Sequence, residues 1–154
     1  MARKYDTFIS FQHEDVMQAR GLRLLNANPK HQVSFRERSF IDPLKNKSEA
    51  QIKAAVKAEI GKSQVVLVLV GRKTHESKWV AREVEYARQA GIGVTAQTLP
   101  GKDDAPTPKC LKDAGVAVEK WNPGGLTRQL HRAVQEGKRM GGQQKAPIGK
   151  GGCP

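Results

Sequence analysis

Apolar and polar positions follow two rhythms along this chain, and each change of rhythm marks where a strand gives way to a helix. The clearest signal is Val65-Val66-Leu67-Val68-Leu69-Val70, six β-prone apolar residues in a row. A run with no polar face predicts a strand buried on both sides. Upstream, YDTFISF at Tyr5–Phe11 reads as the opening strand, and Met17, Gly21, Leu24 and Leu25 make one face of a helix over 14–26. A short extended piece at 33–35 follows, then a long polar loop over 36–47 with Asp42-Pro43 as turn material. Ser48 with Gln51 three residues on forms a capping box for a second helix. Its buried stripe is Ile52, Ala55, Val56 and Ile60, and Gly61 stands where a C-cap glycine belongs.

Beyond the apolar run, 71–77 reads as a loop, 78–90 as a helix ended by Gly91, and 92–98 as a fourth strand. A Pro/Gly/Asp-rich loop over 99–108 leads to a weak fifth strand at 116–118. Leu126, Leu130, Ala133 and Val134 mark a last helix that stops near Gly137. The remainder, KRMGGQQKAPIGKGGCP, is rich in Gly, Lys and Pro and reads as a disordered basic tail. The chain therefore divides into a domain over 1–137 and a tail over 138–154.

Strands that alternate with helices predict a parallel sheet joined by right-handed crossovers. The expected architecture is a three-layer, flavodoxin-like α/β fold with five strands in the order 2-1-3-4-5. Ligands of such sheets bind beyond the carboxyl ends of the strands, where the winding direction reverses. That point lies between the first and third strands, at residues 11–14, at 71–77 and at the start of the following helix. FQHED follows the first strand where a dinucleotide fold carries its glycine fingerprint, so a Rossmann site is not expected.

Composition narrows the setting. The 154 residues suit one domain, and the 38% hydrophobic content is gathered into runs that can build a core. No apolar stretch reaches bilayer length, and MARKYDTFIS lacks the apolar centre of a signal peptide, so neither membrane attachment nor export is expected. Cys110 and Cys153 match neither a zinc spacing nor a disulfide framework, which points to the reducing cytoplasm. No metal constellation stands out among the four His and two Cys. The net charge of +12 raises the question of nucleic acid. Lys138, Arg139, Lys145 and Lys150 carry +4 in a stretch without acids, which leaves +8 elsewhere. No aromatic–basic pattern of a nucleic-acid module accompanies that charge, and nucleic acid is not expected as the partner.

The candidate chemistry sits in Ser77-Lys78-Trp79-Val80-Ala81-Arg82-Glu83. On a helix Trp79, Glu83 and Tyr86 share one stripe, while Val80, Val84 and Ala87 form a neighbouring stripe that can dock on the sheet. Glu85 lies about 200° around the axis from Glu83, so the two carboxylates cannot serve one ligand. On spacing alone, a surface glutamate beside a core tryptophan explains the pattern better than a catalytic group does. Phe11, Gln12, His13 and Glu14 are expected to line the same cleft. Phe11 offers a ring to stack on a base, and His13 offers either a ligand contact or a solvated surface group. Asp15 serves equally as a charge at a helix N-terminus. Ser77 reads as a helix cap and not a nucleophile.

DTFISFQHED, VVLVLVG and SKWVAREVEYA, in this order and spacing, resemble TIR domains, and specifically the TIR-like proteins of Thoeris anti-phage defence. The resemblance covers roughly residues 3–137. It implies an enzyme that cleaves nicotinamide from NAD⁺, with Glu83 as the essential carboxylate and Phe11, Gln12, His13, Ser77 and Trp79 as substrate-binding residues. NAD⁺ would be substrate, with no separate cofactor, and the product an ADP-ribose-derived signal, linear or cyclic, acting on a separate effector protein. It also implies assembly through contacts between copies, with a phage-derived trigger. By the resemblance, the loop carrying Arg36, Phe40 and Asp42 would mediate that assembly and can close over the nucleotide, while an ordinary mobile polar loop explains those residues one by one at least as well. Val80 stands where many relatives have a cysteine. Two rival readings stay open: a non-catalytic scaffold acting through protein–protein contacts, and a nucleoside deoxyribosyltransferase-like enzyme, against which the order of motifs argues.

Overall fold

Odd and even positions of the apolar run face opposite sides of one sheet, and this sets the layers. The computed structural model describes residues 5–27, 35–37 and 47–145. Five parallel strands, β1 (Tyr5–Phe11), β2 (Phe35–Glu37), β3 (Val65–Val70), β4 (Gly93–Thr98) and β5 (Val118–Glu119), lie in the order β2-β1-β3-β4-β5. The helices are α1 (Val16–Ala27), α2 (Glu49–Gly61), α3 (Lys78–Gln89), α4 (Lys109–Asp113) and α5 (Leu126–Lys145). Val65, Leu67 and Leu69 pack with Tyr5 and Ile9 against Ala19 and Leu22 of α1 and Leu126, Leu130, Ala133 and Val134 of α5. Val66, Val68 and Val70 pack with Phe8 against Val56 and Ile60 of α2, Val80, Val84 and Ala87 of α3 and Leu111 of α4. All six β3 side chains are fully buried. At about 1.5–3 kcal/mol for each large apolar side chain, this strand anchors both layers.

Several elements depart from the sequence expectation, each for a physical reason. In α1 Met17 and Leu24 are 67% and 70% exposed, while Ala19 and Leu22 are buried. A three-residue helical turn, His13–Asp15, precedes α1, and the small Ala19 lets the helix approach the sheet, so the buried face is rotated from the one expected. The capping box of α2 forms as expected, but Gly61 closes the helix as an ordinary helical residue and Lys62 caps it. Strand β2 falls at Phe35–Glu37, where the expected loop begins. Asn26 at the end of α1 fixes it, accepting from the Phe35 amide and donating to the Phe35 carbonyl, both at 2.9 Å. Val33, Phe40 and Asp42 lie outside the described residues. Helix α4 is too short to show periodicity. Its end explains why β5 starts late: Gly115 turns at φ 72°, and the Val116 amide is taken by the Leu111 carbonyl.

The last helix runs to Lys145, past the Gly137 where a stop was expected. Gly137 is a contact glycine and not a terminator. A Cβ there would collide with the Gly93 backbone, and a Cβ on Gly93 would collide with the Ala133 carbonyl. The two glycines let α5 cross the start of β4 backbone to backbone. Residues 138–145 are therefore helical, and the rest of the expected tail, 146–154, lies outside the described residues. Farther along β4, Gln129 of α5 donates to the Thr95 hydroxyl and the Ala96 carbonyl and accepts from Gln97. All three polar side chains are buried, so each needs these partners.

Candidate active site

Side-chain alternation along β1 decides what reaches α3. Ile9 and Phe11 turn toward the α1/α5 layer, and Phe8 and Ser10 toward the α2/α3 layer. Ser10 is completely buried, and a buried hydroxyl needs a partner. It finds one in Glu83, donating to Oε1 at 2.6 Å.

Helix α3 is placed to bring that carboxylate in. The Ser77 hydroxyl accepts from the Val80 amide at 3.1 Å and caps the first turn. Val80, Val84 and Ala87 are buried on the sheet, so the next stripe, Trp79, Glu83 and Tyr86, lies at the rim of the buried face. The Arg82 guanidinium sits over the Trp79 ring, 4.7 Å from its centre, and Lys57 reaches over Tyr86 at 5.7 Å. Glu85 stands in solvent beside Arg88, at 3.8 Å, well apart from Glu83.

The Glu83 side chain keeps partial exposure, yet its carboxyl is largely stripped of water. This burial raises its pKa from 4.5 to about 7, against the opposing pull of the Ser10 hydrogen bond and the Arg82 charge. Among the described residues, Ser10 is the one hydrogen-bond donor that reaches this carboxylate. The positive charge acting on it comes from Arg82, the next residue back on α3.

The loops at the carboxyl ends of β1 and β3 meet beside this pair. Gln12 caps the His13–Asp15 turn, its side-chain oxygen accepting from the Glu14 amide at 2.6 Å. His13 is exposed, and Glu14 pairs with Lys73 at 3.4 Å. The Asp15 carboxylate presses against Gly71, where any Cβ would overlap it. Burial raises the Asp15 pKa, the Glu14 charge adds to this, and Lys102 opposes it.

The structure thus brings Glu83, Trp79 and the Ser77 cap together on α3 and adds Ser10, which sequence reasoning overlooked. A signal for it existed: Ser10 is a small polar residue between Ile9 and Phe11, in phase with Phe8 on the face that α2 and α3 cover. Phe11, expected to line the cleft with Glu83, packs against the opposite layer because it is odd-numbered in the alternation. Gln12 and Ser77 spend their oxygens on backbone caps.

A cavity of about 330 Å³ lies elsewhere, at the amino end of β4 among Gly93, Thr95, Val116, Arg132 and Glu136. Parallel sheets bind ligands at the other end. Among the described residues no group of three His, Cys, Asp or Glu is placed to hold a metal, and no helix is long and apolar enough to cross a membrane.

Comparison with known families matches residues 8–104, which include Ser10, Trp79 and Glu83, to the TIR-like domain of Thoeris protein ThsB. No curated protein matches the chain.

Proposed function

The chain belongs to the family of the Thoeris ThsB TIR-like domain, a defence family, and from that premise we propose that it cleaves NAD⁺ between nicotinamide and ribose, with Glu83 as the catalytic carboxylate. The observation that supports this reading is the Glu83 carboxylate itself. It is desolvated, held by the Ser10 hydroxyl and placed at the rim of α3 beside Trp79.

The chemistry asks for one carboxylate and no general acid. The nicotinamide ring of NAD⁺ is cationic, so when the C1′–N bond breaks its electron pair stays with the ring nitrogen and neutral nicotinamide departs. Positive charge then develops on C1′ and the ring oxygen of the ribose. A fixed anion in a dry setting stabilises that charge far better than water does. Water attacking C1′ and losing a proton gives ADP-ribose; attack by a nitrogen of the same molecule gives a cyclic product. The cationic substrate also favours the ionised form of Glu83, offsetting the burial that raises its pKa. Trp79 offers an aromatic face near the carboxylate. Gln12 and His13, at the end of β1, belong to the same proposed substrate region by family resemblance, whereas Phe11, implied by the same resemblance, faces the opposite layer. The product acts on a separate effector, and activity depends on contacts between copies.

A second reading, a scaffold without catalysis, is favoured by Met17 and Leu24, two large apolar side chains that α1 exposes one above the other. One comparison separates the two. NAD⁺ is incubated with the full chain at assembling concentrations, with and without lysate from infected cells, and nicotinamide release is followed. Glu83→Gln is expected to lower turnover by roughly 10²–10³ or more, while the exposed Glu85→Gln stays near wild type. Wild-type turnover by Glu83→Gln overturns the site assignment. A wild type that never releases nicotinamide leaves the scaffold.

A further inference from the structure

Resting on the reading of Glu83 as the catalytic carboxylate, we propose that Ser10 is a positioning residue, which fixes Oε1 of Glu83 so that the second oxygen meets the ribose.

Three observations carry the proposal. Ser10 is completely buried on β1, with Val68 of β3 as its register partner. Its neighbours along the strand, Ile9 and Phe11, are held in the opposite layer. The hydroxyl therefore has little freedom to move. By contrast, Glu83 has three side-chain torsions and sits at the rim of α3, where one turn of helix alone would leave its carboxyl free to swing. The 2.6 Å hydrogen bond ties the mobile group to the rigid one, and it links two elements 73 positions apart in sequence. Among the described residues no second donor reaches the carboxylate.

The geometry also divides the work between the two oxygens. Oε1 accepts from Ser10 and is committed to the sheet. Oε2 keeps its lone pairs for the ligand, and a hydrogen bond to one oxygen stops the carboxylate from rotating. A serine in this position donates one proton and cannot neutralise the anion, whereas a lysine or arginine there would compete with the cationic substrate. Arg82, the nearby positive charge, is drawn over the Trp79 ring. A preorganised carboxylate does not have to reorient as charge develops on the ribose, which is where the rate advantage arises.

The test is Ser10→Ala in the full chain, with Ser10→Thr as the hydroxyl-retaining variant. Nicotinamide release is measured against NAD⁺ concentration and against pH. The proposal expects kcat to fall about tenfold or more in Ser10→Ala, with KM changed little. The acid limb of the rate profile moves upward by about one pH unit, because the charged form loses its donor. Ser10→Thr restores both. A structural role alone would lower the melting temperature and leave the acid limb in place. Independently of turnover, the Glu83 carboxyl carbon is followed by NMR titration in wild type and Ser10→Ala, where its midpoint is expected to rise. An active wild type with Ser10→Ala unchanged in kcat and acid limb overturns the proposal and leaves the Glu83 reading standing. An inactive wild type overturns both, and the titration then reports only whether the hydrogen bond forms.

Discussion

Replacing Glu83 by glutamine should make the protein more stable, and increasingly so as pH rises. Proton linkage sets the sign. Glu83 is an acid whose folded pKa, about 7, exceeds the ordinary 4.5, so the folded state holds the proton more tightly than the unfolded chain does. Stability from this group is full below about pH 4.5 and is lost as pH rises toward 7. The gap between the two values, at about 1.4 kcal/mol per unit, corresponds to a loss on the order of 3 kcal/mol. Water reaching the partly exposed side chain trims this to about 1–3 kcal/mol. Glutamine has the same reach, accepts from Ser10 through its own oxygen and never ionises, so it escapes the loss. In a chain of this size 1 kcal/mol moves the melting temperature by roughly 2–4 °C. Paired melts of wild type and Glu83→Gln at pH 5, 6, 7 and 8, at constant ionic strength, should therefore start close together. They should separate by several degrees at pH 8, with glutamine the higher. A difference that does not grow with pH, or a less stable glutamine variant at pH 8, refutes the desolvation of this carboxylate.

Two further substitutions test the frame around the site. Gly93→Ala should destabilise by about 1–3 kcal/mol, because its Cβ meets the Ala133 carbonyl and α5 must lift off β4; a melting temperature unchanged within 1 °C in thermal denaturation contradicts that contact. Gln129→Leu should cost about 1–3 kcal/mol, since the buried Thr95 hydroxyl and Gln97 amide lose a partner, and urea denaturation with an unchanged midpoint would show that water replaces it.

The local features of this chain were legible without a structure wherever one rhythm or one capping signal decided them. Six apolar residues in a row specify a strand with two buried faces, because no polar side chain remains to meet water. Ser48 and Gln51 specify a helix start through the backbone hydrogen bonds they satisfy, and Val80, Val84 and Ala87 specify which side of α3 meets the sheet. That in turn put Glu83 at the rim. Spacing could also separate Glu83 from Glu85, since helix geometry alone turns them apart.

What needed tertiary structure were the features that depend on a partner distant in sequence. Gly137 looks like a stop in sequence, and only the crossing of α5 over Gly93 shows it to be a contact point. The buried face of α1 depended on how close Ala19 could bring the helix to the sheet, which no helical wheel contains. The same holds for the site. Burial of the Glu83 carboxyl, its raised pKa and its bond to Ser10 exist only once β1 and α3 are packed together. A sequence states which groups a chain carries; the dielectric around a carboxylate and the hydroxyl that holds it are properties of the packed fold.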